Sequence, residues 1–122
     1  MTIALWCILV AALIPYAFTV AAKTARYDNR HPRVYLDGLD GWRQRAHWVQ
    51  LNGYEAFPPF AAGVLVAHVA GAPQGSADLL AVTFCIARIV YGLLYLANKA
   101  AMRSLVWFIG ICAVVGLFVI SA

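Results

Sequence analysis

The sequence predicts an all-α integral membrane protein in which four helices cross the bilayer as a bundle. Of the 122 residues, 64% are hydrophobic and only 11% are charged, whereas soluble domains carry about 25% charged residues. The mean hydropathy is +0.79. A membrane-spanning helix needs about 20 mainly apolar residues, so the chain has room for four spans and little else. A pocket that binds a ligand is therefore expected among the helices.

Four apolar segments provide the predicted spans, at 3–22, 52–71, 79–97 and 104–122. The first segment contains no charged residue, and Lys23 marks the point where it leaves the hydrocarbon. A cleavable signal peptide is the alternative interpretation of this segment. The basic residues that normally precede the apolar core of a signal peptide are missing here, which favours a permanent span.

The second span contains fewer apolar residues than the others. Its apolar run covers 56–71, which is shorter than the roughly 20 residues that a span requires. The helix must therefore begin earlier, and counting back places Asn52 and Glu55 inside the membrane. Polar and charged side chains at this depth are rare, so these two residues are candidates for a functional site.

The segment 23–51 is the one substantial loop of the sequence, and it is polar and basic. Its second half is typical of a helix start, with Asp40 as a possible N-cap residue. Basic residues occur in the first and third loops and are missing from the second: Lys23, Arg26, Arg30, Arg33, Arg43, Arg45, Lys99 and Arg103. The positive-inside rule then places the first and third loops in the cytoplasm and both termini on the opposite side. The pI near 9.2 reflects this topology, and no nucleic-acid binding is expected.

Neither the cysteines nor the histidines predict a metal or redox site. The cysteines occur one per span, without a CxxC motif or a histidine at ligand spacing: Cys7, Cys85 and Cys112. They are expected to be packing residues. The three histidines, among them His47, are equally scattered, and each is expected to be a surface or packing residue.

Polar residues recur at helical spacing where the chain enters its second span. Arg45, Trp48, Asn52 and Glu55 follow one another at steps of three and four. This spacing places all four on one face of a helix that runs into the membrane.

The third span repeats this spacing with Arg88, Tyr91 and Tyr95. An arginine near the centre of a span costs about 2.5–3.5 kcal/mol on insertion scales, so Arg88 should face the bundle interior and have a partner. Glu55 is the carboxylate placed to pair with it. The residues then form either a buried pair that fixes the helix register or the lining of a site for a polar ligand. The number of polar groups on the two faces favours the ligand.

The same residues resemble two signatures of the MAPEG family, the membrane-associated proteins of eicosanoid and glutathione metabolism. The residues that resemble the first signature are Arg45-Ala46, Gln50-Leu51-Asn52, Glu55, Phe57, Pro58 and Phe60. Those that resemble the second signature are Ala87-Arg88, Tyr91, Tyr95 and Arg103-Ser104. The similarity extends over nearly the whole chain. The residues Gln50, Asn52 and Tyr91 are most similar to the leukotriene C synthase and glutathione transferase pattern, and the segments 27–33 and 57–60 resemble the short bacterial members.

The resemblance implies a left-handed four-helix bundle that assembles as a homotrimer, with glutathione as co-substrate bound between neighbouring subunits near the cytoplasmic face. Five residues would contact the glutathione peptide: Gln50, Asn52, Glu55, Tyr91 and Tyr95. Arg103 would stabilise the glutathione thiolate, and Arg88 would support Glu55 without touching the ligand. Ser104 would either donate a hydrogen bond to the same sulfur or cap the last helix.

Three positions depart from the family pattern. Trp48 stands where glutathione-using members generally carry an arginine for a ligand carboxylate, and Ala56 and Trp107 stand where several carry a tyrosine. The implied function is a glutathione-dependent transferase or peroxidase in the bacterial inner membrane, acting on a lipophilic small molecule, an electrophile that enters from the lipid bilayer. The alternative is a non-enzymatic trimeric scaffold or lipid-binding module with the same fold.

Overall fold

The computed structural model describes residues 1–24 and 28–122, and helices account for most of them. In chain order these are α1 Ile3–Ala22, α2 Pro32–Asp37, α3 Gly41–Val69, α4 Gln74–Leu96 and α5 Ala100–Val119. The all-α prediction is confirmed for the described residues. The predicted number of helices, four, is not confirmed, because the polar segment after α1 contains the additional short helix α2. Pro32 begins α2, and a proline at this position sacrifices no helical hydrogen bond.

The polar segment before α2 is partly ordered by a local ion pair. The Arg30 side chain and backbone N–H both donate to the Asp28 carboxylate, and these bonds lower the pKa of this exposed carboxyl group. Arg26 and Tyr27, which entered the topology and family arguments above, lie outside the described residues.

Three helices of the described chain, α1, α4 and α5, are long and apolar enough to cross a membrane. Helix α3 is the longest, with 29 residues, and at about 1.5 Å per residue it exceeds the roughly 30 Å hydrocarbon core. It begins at Gly41 with Asp40 as N-cap residue, as the sequence indicated, although the Asp40 side chain makes no capping hydrogen bond. The second half of the predicted loop is therefore helical, and a second span at 52–71 stays a prediction.

Helices α3 and α4 lie at the centre of the bundle, because each of them contacts both α1 and α5. The Phe60 and Phe84 rings stack where α3 meets α4, with their centroids 4.0 Å apart and an angle of 7° between the ring planes. Both side chains are buried, as is Leu117 of α5. These residues form the main core below the polar end of the bundle.

Helix α1 approaches α3 and α4 closely because each of them presents a glycine to it. A Cβ atom at Gly53 would lie 2.6 Å from Cγ of Pro15, and a Cβ atom at Gly92 would overlap the ring of Phe18. Small residues at helix contacts are a general means of close packing in membranes. The Phe18 ring therefore occupies the space that a side chain at position 92 would need.

The start of α1 is fixed by two side chains. The Thr2 hydroxyl accepts from the Leu5 N–H at 3.2 Å, and the Asp78 carboxylate of α4 accepts from the Ala4 N–H at 2.8 Å. Both bonds satisfy N–H groups that lack a partner inside the helix, and the negative charge of Asp78 also complements the helix dipole. This contact fixes the start of α1 to the second turn of α4.

Candidate functional site

A groove opens between the last two turns of α4 and the first two turns of α5. It has about 470 Å³ of empty volume and is lined by Tyr91, Tyr95, Arg103, Ser104 and Trp107. The structure thus brings together four residues that the sequence assigned to one site. They meet because α5 begins at Ala100, only four residues after α4 ends at Leu96, so that the two helices turn back on each other here.

Two arginines pack on the two tyrosine rings that line this groove. The guanidinium carbon of Arg88 lies 4.4 Å from the centroid of the Tyr91 ring, and that of Arg103 lies 4.2 Å from the Tyr95 centroid. The two tyrosine rings meet edge to face with their centroids 5.7 Å apart. Cation–π contacts of this kind contribute about 0.5–2 kcal/mol each, most where water is excluded. Arg103 lines the groove, whereas Arg88 is buried against the Tyr91 ring.

The Arg103 guanidinium keeps its donor groups available. Its side chain is only partly buried, and in the described residues no carboxylate or carbonyl pairs with it. A guanidinium that stacks on a ring through its face still presents its N–H groups in its own plane. The site thus offers a permanent cation with free donors beside the Ser104 hydroxyl.

Helix α3 meets the end of α4 beside this groove through Trp48 and Arg45. The Trp48 and Tyr95 ring centroids are 6.3 Å apart with an angle of 52° between the rings. One turn earlier, Nη2 of Arg45 donates to the Leu96 carbonyl at 3.1 Å, where a cation complements the carboxyl end of α4. The first part of the predicted polar face of α3 therefore does face α4, but the apolar Trp48 ring lies beside Tyr95 and Arg45 is already hydrogen-bonded.

Asn52 and Glu55 continue this face toward Tyr91. The Asn52 Oδ1 atom is buried and has no hydrogen-bond partner in the described chain. The Glu55 side chain is exposed. A buried acceptor without a donor is unfavourable by about 1–3 kcal/mol, so Asn52 marks a place where a ligand N–H or O–H would be accepted.

The predicted pairing of Glu55 with Arg88 is not formed within the chain. The ion pairs of the described residues join Arg30 to Asp28 and His47 to Asp37. Arg88 is buried, with 7% of its surface exposed, and its guanidinium packs on Tyr91 instead. The Glu55 side chain, in contrast, is exposed. In this structure Arg88 therefore contacts the groove-lining residue Tyr91 in place of Glu55.

Gln50 lies on a different face of α3 from the groove. Its position is two residues before Asn52, which corresponds to a rotation of about 200° on an α-helix. The Gln50 side chain is buried and donates through Nε2 to the Tyr54 hydroxyl at 2.8 Å, while Oε1 lies 3.2 Å from Nδ1 of His47. One chain therefore does not bring Gln50 to the other predicted ligand contacts.

Sequence reasoning missed the polar cluster around Gln50. His47 was expected to be an isolated surface or packing residue, yet it is buried and linked to Asp37 and Gln50. The steps of three and four from His47 through Gln50 to Tyr54 placed these side chains on one helical face. The missing information was α2, which brings Asp37 to that face.

The cysteines and acidic residues form no metal centre in the part of the chain that the structure describes. All three cysteines are free. The Cys85 thiol donates to the Cys7 carbonyl at 3.5 Å, and this contact joins α4 to α1. Cys7 and Cys85 therefore serve the packing of the helices.

Comparisons with known proteins identify the chain by its family. Neither the curated proteins nor the solved structures provide a match. The family model described as "MAPEG family" matches residues 3–122, which include every helix and both walls of the groove. Together with the three helices that are long and apolar enough to cross a membrane, this match shows an integral membrane protein, and the chain belongs to the MAPEG family.

Proposed function

We propose that this protein is a membrane-bound, glutathione-dependent transferase or peroxidase that acts on a lipophilic electrophile. The observation that carries the proposal is the position of Arg103 in the groove, stacked on Tyr95 with its N–H groups available and with Ser104 beside it. Membership of the MAPEG family supports glutathione chemistry at the level of the family.

The chemistry follows from the charge that develops on sulfur. A free thiol has a pKa of about 8.5, and a neighbouring cation favours the thiolate, which is the nucleophile. Arginine is suited to this role because it stays protonated at every physiological pH. Arg103 would therefore stabilise the glutathione thiolate, and the Ser104 hydroxyl would donate to the same sulfur.

The peptide part of glutathione would bind along the α3 wall of the groove. Asn52 presents a buried acceptor without a donor, which suits a peptide N–H group. Glu55 is exposed one turn further along α3, and its carboxylate would pair with an ammonium group. Tyr91 and Tyr95 supply the hydroxyl groups of the opposite wall. These residue types fit a zwitterionic peptide with a free thiol.

A homotrimer of four-span chains would complete the site. Gln50 and Asn52 point to different faces of α3, so one ligand meets both only if Gln50 comes from a neighbouring copy. Large apolar side chains such as Leu13, Ile86 and Leu105 are more than half exposed on the single chain, and they would face lipid or other subunits. We propose further that the first and third loops face the cytoplasm of a bacterial inner membrane, which places the groove at that side.

The test is turnover by the purified protein in mild detergent. We expect conjugation of glutathione to a generic aryl halide, and trimers on cross-linking. Mixing chains that carry Gln50→Ala with chains that carry Asn52→Ala should restore part of the activity, because mixed trimers contain intact sites at some subunit boundaries. Activity that is lost in both variants and is not restored by mixing would contradict a site shared between copies.

A second candidate function is supported by Trp48. Its ring lies beside Tyr95, where a positive side chain would face a ligand carboxylate in the proposed enzyme. An apolar ring at this point favours a non-enzymatic scaffold or lipid-binding module with the same fold. Trp48→Arg distinguishes the two, since a guanidinium facing a carboxylate should tighten glutathione binding by about 1–3 kcal/mol. If binding is undetectable in both proteins, the scaffold is favoured.

A further inference from the structure

Four polar side chains form a continuous chain on the face of α3 that lies away from the groove. Oδ1 of Asp37 on α2 lies 3.5 Å from Nε2 of His47, and Nδ1 of His47 lies 3.2 Å from Oε1 of Gln50. Nε2 of Gln50 then donates to the Tyr54 hydroxyl at 2.8 Å. His47 and Gln50 are each only 8% exposed. Water therefore does not readily replace a partner that either of them loses.

The directions of these bonds depend on the protonation of His47. Since the Gln50 NH₂ group donates to Tyr54, its oxygen must accept, and Nδ1 of His47 must carry a proton. Nε2 lies 3.5 Å from Oδ1 of Asp37, so a proton on the second ring nitrogen would face a negative charge. A histidine that donates from both nitrogens is the imidazolium cation. With the Gln50 amide in this orientation, the polar groups that link Asp37 to Tyr54 are therefore all satisfied when His47 is protonated.

Loss of one proton from His47 reverses the direction of the hydrogen bond between His47 and Gln50. If neutral His47 keeps its proton on Nε2, toward Asp37, then Nδ1 becomes an acceptor. The Gln50 amide must then turn so that its NH₂ group donates to Nδ1 and its oxygen accepts from the Tyr54 hydroxyl. All polar atoms are again satisfied, and the proton has left to solvent through the groove beside α2. His47 protonation thus selects between two orientations of the Gln50 amide.

The surroundings allow this exchange. The groove on this face has about 740 Å³ of empty volume and is lined by Arg33 and Asp37 from α2 and by His47, Gln50 and Tyr54 from α3, together with apolar residues. From α1, Tyr16 borders the cluster, with its ring 6.2 Å from that of Tyr54. Arg43 lies one turn before His47 on α3. Arg33 and Asp37 are thus the charged residues that line the groove beside His47.

We propose that Asp37 and His47 are positioning residues that orient the Gln50 amide, and that the protonation of His47 decides whether the NH₂ group or the oxygen of this amide lies beside Tyr54, where a ligand on a neighbouring copy would meet it. The proposal rests on the proposed function for the ligand, which is glutathione held between copies. It assigns α2 a role, since this short helix carries the carboxylate that orients His47. Ligand binding would then change with pH through a residue that does not touch the ligand.

The test uses the full-length protein in detergent micelles, with ¹⁵N-labelled glutamine side chains followed by NMR as pH is varied. In the parent, the Gln50 amide signal should move together with the His47 ring signals, while the Gln44 amide serves as an internal reference. In His47→Asn the Gln50 signal should no longer respond over the pH range in which it moves in the parent. His68→Asn, which changes an exposed histidine on the same helix, is the matched control and should behave like the parent.

Glutathione affinity provides the second readout. We expect the Kd of the parent to change with pH and that of His47→Asn to be constant over the same pH range. A Gln50 signal that ignores His47 titration, or that responds equally in His47→Asn, would overturn the orientation mechanism. If the parent binds no glutathione at any pH, the proposed function and the ligand part of this proposal both fail, and the amide response alone still decides whether His47 orients Gln50.

Discussion

The guanidinium carbon of Arg103 lies 4.2 Å from the centroid of the Tyr95 ring. This contact joins the first turn of α5 to the last turn of α4 and fixes a positive charge in the groove between them. Tyr95 also meets Tyr91 and Trp48, so its ring is the point at which α3, α4 and α5 converge. The position of the proposed catalytic cation therefore depends on an aromatic face.

We expect Tyr95→Leu to lower kcat/KM for glutathione more than Tyr95→Phe does. Phenylalanine keeps the ring face under Arg103, whereas leucine removes a cation–π contact of about 1 kcal/mol, which corresponds to about fivefold in rate. Steady-state kinetics with the aryl halide measures both variants against the parent. Equal losses in the two variants would mean that the hydroxyl group, and not support of Arg103, is what Tyr95 contributes.

We expect Gly92→Ala to destabilise the bundle by about 1–3 kcal/mol, because the added methyl group overlaps the Phe18 ring. Thermal unfolding in detergent measures the effect. Gly75→Ala is the matched control, since a Cβ atom there meets nothing within 4 Å. Combining Gly92→Ala with Phe18→Leu should recover part of the loss. An unchanged melting temperature in Gly92→Ala alone would argue against the close contact of α1 with α4.

We expect Glu55→Gln and Arg88→Leu to change thermal stability independently. No ion pair joins the two side chains in the described structure, so their effects should add within about 0.5 kcal/mol in a double-mutant cycle. Breaking a buried ion pair would instead be unfavourable by about 3–5 kcal/mol for either single change. A large coupling in the purified trimer would show that assembly brings the two charges together.

Much of the fold was predictable because its determinants are local. Three long apolar segments became α1, α4 and α5, and the start of α3 after Asp40 was indicated by a single turn signal. Helix α2 was not predicted, since its six residues are too few for a periodic pattern. The polar segment gave turn signals instead, and only packing against α3 makes such a short helix persist.

The candidate site was predictable where its residues come from helices that follow each other closely in sequence. Tyr91, Tyr95, Arg103 and Ser104 share a groove because α4 and α5 are joined by a tight connection. The ion pair of Glu55 with Arg88 was a wrong expectation for the single chain, because spacing gives the face of a helix but not the rotation of α3 against α4. Gln50 was grouped with Asn52 because of the family resemblance, although residues two positions apart on a helix point to different sides.

The most direct measurement is the ultraviolet difference spectrum of glutathione bound to the parent and to Arg103→Leu near neutral pH. If Arg103 stabilises charge on sulfur, the parent should show thiolate absorbance and the variant should lose it while retaining most of its binding, because the interaction strengthens as charge develops. Ser104→Ala should retain most of the signal. Glutathione that binds to the parent without a thiolate signal, or an undiminished signal in Arg103→Leu, would contradict the account.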